Sequence, residues 1–394
     1  MIFAMRILSN FTNCILVISV FVFSCKKGGD SGSGNGATIS DITQNRSTIT
    51  TNYRFTVSLD QAASGEVSID YTTEAGTALA NKDFKPKSGT LVIPANQKQG
   101  VIDIEVIGDS TRKEEQLFFV QLSNPKNCNL KVSKGTGVIV NANGLHFPVD
   151  NAGYTSPATR PGYTLVWTDE FNGSAVNTTD WTFEQGNNGW GNNELQNYTN
   201  STENAFVSQG NLVIEARRVG SGYSSARMIT KNKKIFKFGR IDIRAKLPKG
   251  KGIWPALWML GNNIDAVSWP ACGEIDILEL LGQEPNKIYG TVHWGANFNS
   301  RANKGNSFIL NGSSFDQQFH VYSAIWGQDS IKILVDDQQF FQFSKSDVGA
   351  APYPFNADFF FIFNIAVGGN WPGSPDGTTV FPQRMVVDYV RVFQ

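Results

Sequence analysis

After residue 37, the chain is a succession of short segments. Each segment either alternates between polar and apolar residues or is apolar over the length of a strand. YRFTVSL and GVIDIEVIG are examples in the first part of the chain, and NLVIEARR and GRIDIRAKLP in the second. The residues between them are rich in Gly, Asn, Ser and Pro, which favour turns. No long stretch of the sequence has the period of a helix. The pattern therefore predicts an all-β protein.

The chain divides at residues 144–161, GLHFPVDNAGYTSPATRP, which contain three prolines and no periodicity. This composition predicts an interdomain linker, and 394 residues are enough for two domains. Residues 38–143 have about the 100 residues usual for a β-sandwich. Residues 162–394 predict a larger two-sheet jelly roll. In its segment GRIDIRAKLP, apolar Ile241 and Ile243 face one way and polar Asp242 and Arg244 the other.

Lys and Arg together number 34, as do Asp and Glu, so the formal net charge is zero. This balance argues against a nucleic-acid or polyanion partner. We expect a monomer.

The N-terminus predicts export. Arg6 precedes an apolar run at residues 14–23 that is too short to span a membrane. The run ends in VFSC, which resembles a bacterial lipoprotein signal with Cys25 as the acylated residue; the alternative is an ordinary cleaved signal with an incidental cysteine. The Gly- and Ser-rich residues 26–37 predict a flexible tether. We expect a lipoprotein of the cell envelope, in the outer membrane and facing either the periplasm or the cell surface.

The cysteines predict no disulfide framework. Cys14 and Cys25 belong to the signal peptide, and Cys128 and Cys272 fall in different predicted domains. We interpret Cys272 as a buried free thiol.

The segment WPACGEIDILELLG, residues 269–282, has three carboxylates in an otherwise apolar strand. Glu274 and Asp276 share a strand face, but regular alternation would turn Glu279 into the apolar layer. A lone charge there would cost several kcal/mol. If Ile277 and Leu278 form a β-bulge and together fill one strand position, Glu279 returns to the front. The spacing thus predicts a bulge.

Three carboxylates on one face repel one another, so they are not there for stability. A solvated edge strand is one alternative and a metal site another, but no histidine accompanies the acids locally. A pair of carboxyl groups that must titrate differently is typical of glycoside hydrolysis, in which one attacks as an anion and the other donates a proton. Neighbouring negative charge raises the pKa of a carboxyl group and helps to keep one acid protonated.

GEIDILEL resembles the bulged active-site strand of glycoside hydrolase family 16. LVWTDEF, WGNNELQNYT, GRIDIRAKLPKGKGIWPALWML, FNIAVGGNWPG and VDYVRVF also resemble the laminarinase-like endo-1,3-β-glucanases of that family, in order along the second domain. The resemblance implies Glu274 as the nucleophile and Glu279 as the acid/base. Asp276 between them would tune the nucleophile and orient the cluster.

Aromatic side chains stack on the apolar faces of sugar rings. By the same resemblance, we interpret Trp254, Trp258 and Trp371 as substrate-binding residues, with core packing as the alternative for the first two. His293 is either a cleft residue or a hydrogen-bonded histidine of the sheet. Asn193 and Arg227 resemble sugar-contacting positions. The family resemblance also implies a structural calcium near Glu170 and Asp388, whose alternative roles are packing or hydrogen bonding, and it implies no cofactor for catalysis.

The first domain resembles a Calx-beta domain in YTTEAGTALANKDFKPKSGTLVIPANQKQG and DSTRKEEQLFFVQLSNP. In that family, acidic residues at one end of the sandwich bind calcium, which here implies the candidates Glu74, Asp83, Asp109 and Glu114. NANG, residues 141–144, replaces the family's closing acidic pair, and the loss of charged oxygens weakens a calcium site. We therefore favour a spacer role.

Taken together, these features predict a lipid-anchored, retaining endo-β-1,3-glucanase. The alternatives are another specificity of the same family (mixed-linkage glucan, agar or carrageenan) and a non-catalytic glucan-binding protein. An adhesion module would suit only the first domain.

Overall fold

The computed structural model describes residues 35–141 and 147–394. The predicted signal peptide, the lipidation site Cys25 and most of the predicted tether lie outside the described residues. Among those described, no helix has the length and apolar character needed to cross a membrane. The described chain is almost entirely strand and turn, which confirms the all-β prediction.

Nine strands form the described part of the first domain. They are β1 Gly36–Ile39, β2 Ile42–Asn45, β3 Thr51–Leu59, β4 Val67–Ala75, β5 Ser88–Ile93, β6 Gln99–Val106, β7 Gln116–Lys126, β8 Asn129–Val132 and β9 Lys134–Val140. One sheet has the order β6-β3-β1-β8 and the other the order β2-β9-β7-β4-β5. The alternation of β3 explains the sandwich, because Tyr53, Phe55 and Val57 are fully buried whereas Asn52 and Arg54 are exposed.

Eighteen described strands form the second domain. They are β10 Leu165–Asp169, β11 Thr182–Glu184, β12 Gln196–Tyr198, β13 Ala205–Ser208, β14 Asn211–Val219, β15 Gly222–Ser225, β16 Arg227–Ile229, β17 Ile235–Phe236, β18 Gly239–Lys246, β19 Ile253–Gly261, β20 Glu274–Leu280, β21 Lys287–Trp294, β22 Ala302–Ile309, β23 His320–Trp326, β24 Ser330–Val335, β25 Gln338–Ser344, β26 Phe359–Val367 and β27 Gln383–Phe393. The helix α1 spans Ile264–Val267, and two 3₁₀ turns span Phe298–Ser300 and Lys345–Val348.

The two sheets of this domain enclose one large apolar core, as the predicted jelly roll requires. The first sheet contains β12-β15-β14-β27-β18-β23-β24-β25, with β10 and β13 paired to its members. The second contains β11-β16-β26-β19-β20-β21-β22, with β17 paired to β26. All nine residues of β26 are buried, and eight of them are apolar; the exception is Asn364.

Residues 147–161, predicted to be a linker, lie against the outer face of the first of these two sheets. Phe147 packs on an apolar cluster there that includes Phe206 and Val213. Arg160 forms an ion pair with Asp242 at 2.9 Å. This segment explains why the polar face of β18 is buried, with Asp242 fully inaccessible to solvent.

The first domain reaches the same outer face through Arg112, which is only 3% exposed. Its guanidinium donates to the carbonyl oxygens of Thr202 and Glu203, at 3.1 and 3.2 Å. It also stacks 4.0 Å from the centre of the Phe206 ring and lies 3.5 Å from the Glu215 carboxylate. Because these contacts are buried, Arg112 links the two domains directly.

Cys128 and Cys272 are both buried free thiols, which confirms the interpretation of Cys272. Burial raises the pKa of the Cys272 thiol to about 11, so it is unreactive at neutral pH.

Candidate active site

Strand β20 contains the predicted bulge. Asp276 pairs with Thr291 of β21 and Glu279 pairs with Tyr289, so the two residues between the acids stand opposite one residue of the partner strand. Those two residues, Ile277 and Leu278, are both fully buried. The register shift brings Glu279 back to the face of Glu274 and Asp276, and the carboxylates of all three line one cleft.

The residue opposite the bulge is Gly290. A Cβ atom built there would lie 2.9 Å from the Cδ1 atom of Ile333, closer than such atoms pack. Ile333 of β24 and Phe340 of β25 already fill the space beside Gly290, so this position has no room for a side chain.

Each glutamate accepts a hydrogen bond from a tryptophan. The Nε1 atom of Trp269 donates to Glu274 at 3.0 Å, and that of Trp254 donates to Glu279 at 3.1 Å. These bonds limit the rotation of the two carboxyl groups and hold them apart at opposite ends of the bulged strand.

A histidine joins the acids, which the local sequence did not reveal. His293 of β21 lies directly opposite Glu274. Its Nε2 atom is 3.2 Å from the Oδ2 atom of Asp276 and 3.5 Å from the Oε1 atom of Glu274. The Asp276 side chain is 4% exposed, and its Oδ2 atom has no hydrogen-bond partner within the geometric limits of such a bond. The imidazole is therefore the polar group that faces this buried oxygen.

Burial is the main cause of the raised pKa values in this cluster. It raises the pKa of Glu274 to about 8, with repulsion from Asp276 adding to the effect and His293 opposing it. Burial and Asp276 likewise raise the pKa of Glu279 to about 8, and burial raises the pKa of Asp276 well above its usual value. At neutral pH, the three carboxyl groups therefore share protons as a coupled set.

These pKa shifts predict a pH-dependent stability. A glutamate whose folded-state pKa is raised above the ordinary value of 4.5 stabilises the fold fully below pH 4.5, and this contribution is lost as pH rises through about 8. We expect the melting temperature of the wild type to fall more between pH 5 and pH 8 than that of Glu279→Gln, whose amide does not titrate. Calorimetry on both proteins tests this, and an equal fall would refute it.

The cleft has a volume of about 600 Å³, and aromatic rings form much of its wall. The predicted residues Trp254, Trp258 and Trp371 all line it. Trp371 is 41% exposed. It packs edge-on against Trp254 and Tyr289, with ring centres 5.6 and 4.9 Å apart. These rings form an aromatic wall on the side of the cleft where Glu279 lies.

Arg227 also lines the cleft. Its guanidinium lies between Trp190 and Trp258, at 5.0 and 4.8 Å from the ring centres, and forms an ion pair with Glu184. Asn193 lies at the rim, where its amide donates to Asn370 at 2.8 Å. The neighbours of Asn193 line the cleft, so sugar contact by Asn193 itself stays a prediction.

Several lining residues were not predicted: Trp190, Glu194, Trp269, Phe298 and Asn364. Trp190 and Glu194 lie within WGNNELQNYT, and Trp269 begins the acidic segment, so their proximity to recognised motifs was the available signal. Phe298 is 59% exposed and packs on Trp269. Its position in the Gly- and Asn-containing segment GANFNS was the available signal.

One described group of side chains has the composition of a metal site: Glu274, Asp276 and His293, whose ligand atoms lie within 4.8 Å of one another. The predicted calcium ligands Glu170 and Asp388 are in no such group among the described residues. Glu170 is paired with Arg391 at 2.7 Å and Asp388 with Arg244 at 2.8 Å. These ion pairs disfavour a calcium at that position, which stays a prediction.

Comparison with known proteins gives two matches along the chain. Residues 192–391 match the family of glycosyl hydrolases family 16, and residues 39–143 match the Calx-beta domain. Both had been expected from the motifs.

Individual relatives agree with these matches. The beta-glucanase of Rhodothermus marinus is 41% identical over 248 residues, covering 59% of this chain and 86% of that protein. The glucan endo-1,3-beta-glucosidase A1 of Niallia circulans is 41% identical over 267 residues, or 61% of this chain and 39% of that protein. The laminarinase catalytic domain from Thermotoga maritima is 46% identical, with a TM-score of 0.55, over 59% of this chain and 98% of that structure. The chain spans less than half the length of the first curated relatives that it matches.

Proposed function

Because the chain belongs to glycosyl hydrolases family 16, we propose that it is an endo-acting hydrolase of β-1,3-glucan that retains the configuration of the anomeric carbon. The observation that carries the proposal is the bulged strand, which puts Glu274, Asp276 and Glu279 on one face of an aromatic cleft. Relatives named as glucan endo-1,3-beta-glucosidase and laminarinase support the choice of substrate.

In the first step, the Glu274 carboxylate attacks the anomeric carbon while Glu279 gives its proton to the departing glycosidic oxygen. The bond from this carbon to the oxygen breaks as an ester bond to Glu274 forms. The raised pKa of Glu279 suits this step, because burial and the charge of Asp276 favour its protonated form. The pKa of Glu274 is raised as well, so the reactive molecules are those in which Glu274 is ionised and Glu279 is protonated.

In the second step, Glu279 acts as the base. The ester at Glu274 carries no charge, so one source of repulsion has gone and the pKa of Glu279 falls. The Glu279 carboxylate can then take a proton from water, whose oxygen attacks the anomeric carbon and releases Glu274. Two inversions leave the β configuration unchanged.

We assign positioning roles to Asp276 and His293. Asp276 lies between the two glutamates along the strand, and its burial favours the protonated form, which can donate a hydrogen bond. The imidazole of His293 faces both Asp276 and Glu274 and lowers the pKa of Glu274. The imidazole thereby favours the ionised form of Glu274 that nucleophilic attack requires.

The product profile on several polysaccharides tests the proposal. The purified protein is incubated with laminarin, mixed-linkage β-glucan and agarose, and the products are separated by size. We expect a series of oligosaccharides from laminarin within the shortest times. Faster release of oligosaccharides from agarose would indicate that the enzyme has another specificity of the family. No release of oligosaccharides from any of the three polysaccharides would favour a glucan-binding protein.

Replacement of Trp371 should weaken substrate binding more than catalysis. Trp371 has an exposed ring on the cleft wall, and the tryptophans that donate hydrogen bonds to the two glutamates are Trp254 and Trp269. Loss of one aromatic contact is worth about 0.5–1.5 kcal/mol, so we expect Trp371→Ala to raise KM for laminarin about 2- to 10-fold with little change in kcat. The control is Ile49→Ala, which removes an exposed apolar side chain of the first domain. A large fall in kcat with an unchanged KM would contradict the assignment.

We further propose that Cys25 is acylated and anchors the protein to a bacterial envelope membrane. The support is the sequence alone: the apolar run, VFSC and the Gly- and Ser-rich segment after it. Cys25→Ser should move the protein from the membrane fraction to the soluble fraction. Wild-type protein that is free of lipid by mass spectrometry would refute the proposal.

A further inference from the structure

One end of the first domain contains two of the predicted calcium ligands, Asp83 and Asp109. All four of their carboxylate oxygens accept hydrogen bonds from the protein. Asp83 is 1% exposed and accepts from Arg46, Lys113, the Leu79 backbone N–H and the Gln116 side chain, at 2.8–3.2 Å. Asp109 accepts from the backbone N–H of Thr111 at 2.8 Å, from Lys113 at 2.9 Å and from Arg46 at 3.4 Å.

Arg46 lies at the centre of this cluster, although its side chain is only 2% exposed. Besides the two carboxylates, its guanidinium donates to the carbonyl oxygens of Ile107 and Asp83, at 2.9 and 3.1 Å. It also donates to the Asn141 side chain at 3.2 Å. A buried charge is tolerated only where it is paired and hydrogen-bonded, and Arg46 meets this condition.

The residues present do not fit a calcium ion. Calcium needs six to eight oxygen ligands, but the carboxylate oxygens of Asp83 and Asp109 are already bonded to protein donors. Glu74 points elsewhere and pairs with Lys134 at 2.7 Å. Asn141, where the sequence departs from the acidic pair of the family, is bonded to Arg46 instead. In the described part of this domain, no three His, Cys, Asp or Glu side chains come close enough together to hold one metal ion.

We propose that Arg46 and Lys113 are built-in cations that replace calcium in this domain. Together they carry two positive charges, as one calcium ion does, and they neutralise the two carboxylates that calcium would bind. Because these charges are part of the chain, the end of the sandwich is fixed without any metal.

This replacement has a consequence for the contact between the domains. Arg112, which enters the outer face of the second domain, lies directly before Lys113 in the segment 107–115. Both ends of this segment are tied to the cluster: Arg46 binds the carbonyl oxygen of Ile107, and the Asn141 amide donates to that of Glu114 at 2.7 Å. The cations therefore position Arg112, and domain contact should not depend on calcium.

The first experiment measures calcium binding by the whole chain after treatment with EGTA. Calorimetric titration with CaCl₂ and thermal unfolding with and without calcium are run on the wild type and on Asp109→Asn. We expect the wild type and Asp109→Asn to give the same calcium titration. We also expect calcium to change the melting temperature of the two proteins equally, if it changes either. If the wild type binds calcium and Asp109→Asn does not, the proposal is overturned. If both proteins bind calcium equally, the ion binds at another place in the chain, and this result agrees with the proposal.

The second experiment measures the role of Lys113 by hydrogen exchange. Lys113→Ala removes hydrogen bonds to two charged groups, and such bonds are stronger than neutral ones. We therefore expect amide exchange in residues 107–115 to be at least about tenfold faster in this variant than in the wild type. Lys113→Arg should restore slow exchange. The control is Lys126→Ala, an exposed lysine at the other end of β7, which should leave this segment unchanged. Exchange in Lys113→Ala at the wild-type rate would show that Lys113 does not hold the segment.

Discussion

Glu274→Gln is expected to abolish hydrolysis of laminarin while leaving the fold intact. The amide has nearly the shape of the carboxylate and can still accept the hydrogen bond from Trp269, but it cannot form the ester intermediate. Removal of a nucleophile costs several orders of magnitude, and we expect a fall in kcat on the order of 10⁴-fold or more. The melting temperature should not fall, since the substitution removes one member of a repelling cluster. Initial rates and calorimetry measure the two effects.

The matched control is Glu284→Gln. Glu284 follows the same strand and has a partly exposed carboxylate that accepts a hydrogen bond from Tyr289 at 2.9 Å, but it does not line the cleft. Its replacement should leave kcat within about twofold of the wild type, since surface changes away from a site have small effects. Near-wild-type turnover by Glu274→Gln would show that the nucleophile is another group.

Deletion of Leu278 is expected to reduce activity at least about 100-fold, because it removes the bulge that brings Glu279 into the cleft. In the unbulged strand, the second glutamate would still face forward by simple alternation. However, β19 and β21 are paired around the extra residue, and deletion shifts the register of everything after it. A displacement of about 1 Å in a catalytic group can cost about 100-fold in rate.

Leu278→Ala separates the bulge from the packing of the leucine side chain. This variant keeps the number of residues and hence the register, but it leaves a cavity where Leu278 is fully buried. We expect a loss of about 2–5 kcal/mol in the free energy of unfolding, with turnover per folded molecule near that of the wild type. Equal losses of activity in the deletion and the alanine variant would mean that packing, rather than register, explains the effect.

The bulge was predictable because its evidence is local. The spacing of Glu274, Asp276 and Glu279, with two apolar residues before the last, conflicts with regular alternation, and only an extra residue resolves the conflict. His293 and Trp269 were harder to place. His293 reaches the acids through the pairing of β21 with β20, and a cross-strand register is set by the fold as a whole rather than by neighbouring residues.

The segment 147–161 illustrates a second limit. Its prolines and lack of periodicity describe its local conformation correctly, but they carry no information about what it covers. Alternation alone gives β18 one apolar and one polar side, but it does not show that the polar side is covered and that Asp242 is buried under Arg160. Composition predicts whether a segment forms regular structure, whereas its docking depends on charge pairs with distant residues.

The calcium predictions depended on where acidic residues stand in the sequence. The basic residues that pair with them are distant in sequence: Arg46 reaches Asp83 and Asp109, and Arg391 reaches Glu170. A sequence motif records the acids of a site but not the cations that the fold brings to them.

Proton NMR of laminarin during the first turnovers tests the central claim most directly, because it detects both the cleavage of β-1,3-glucan and its stereochemistry. Double displacement by Glu274 and Glu279 predicts that new reducing ends appear first as the β-anomer. The α-anomer should follow only later, through spontaneous mutarotation. Appearance of the α-anomer first would contradict the nucleophilic role of Glu274, and the absence of new reducing ends would contradict the proposed activity.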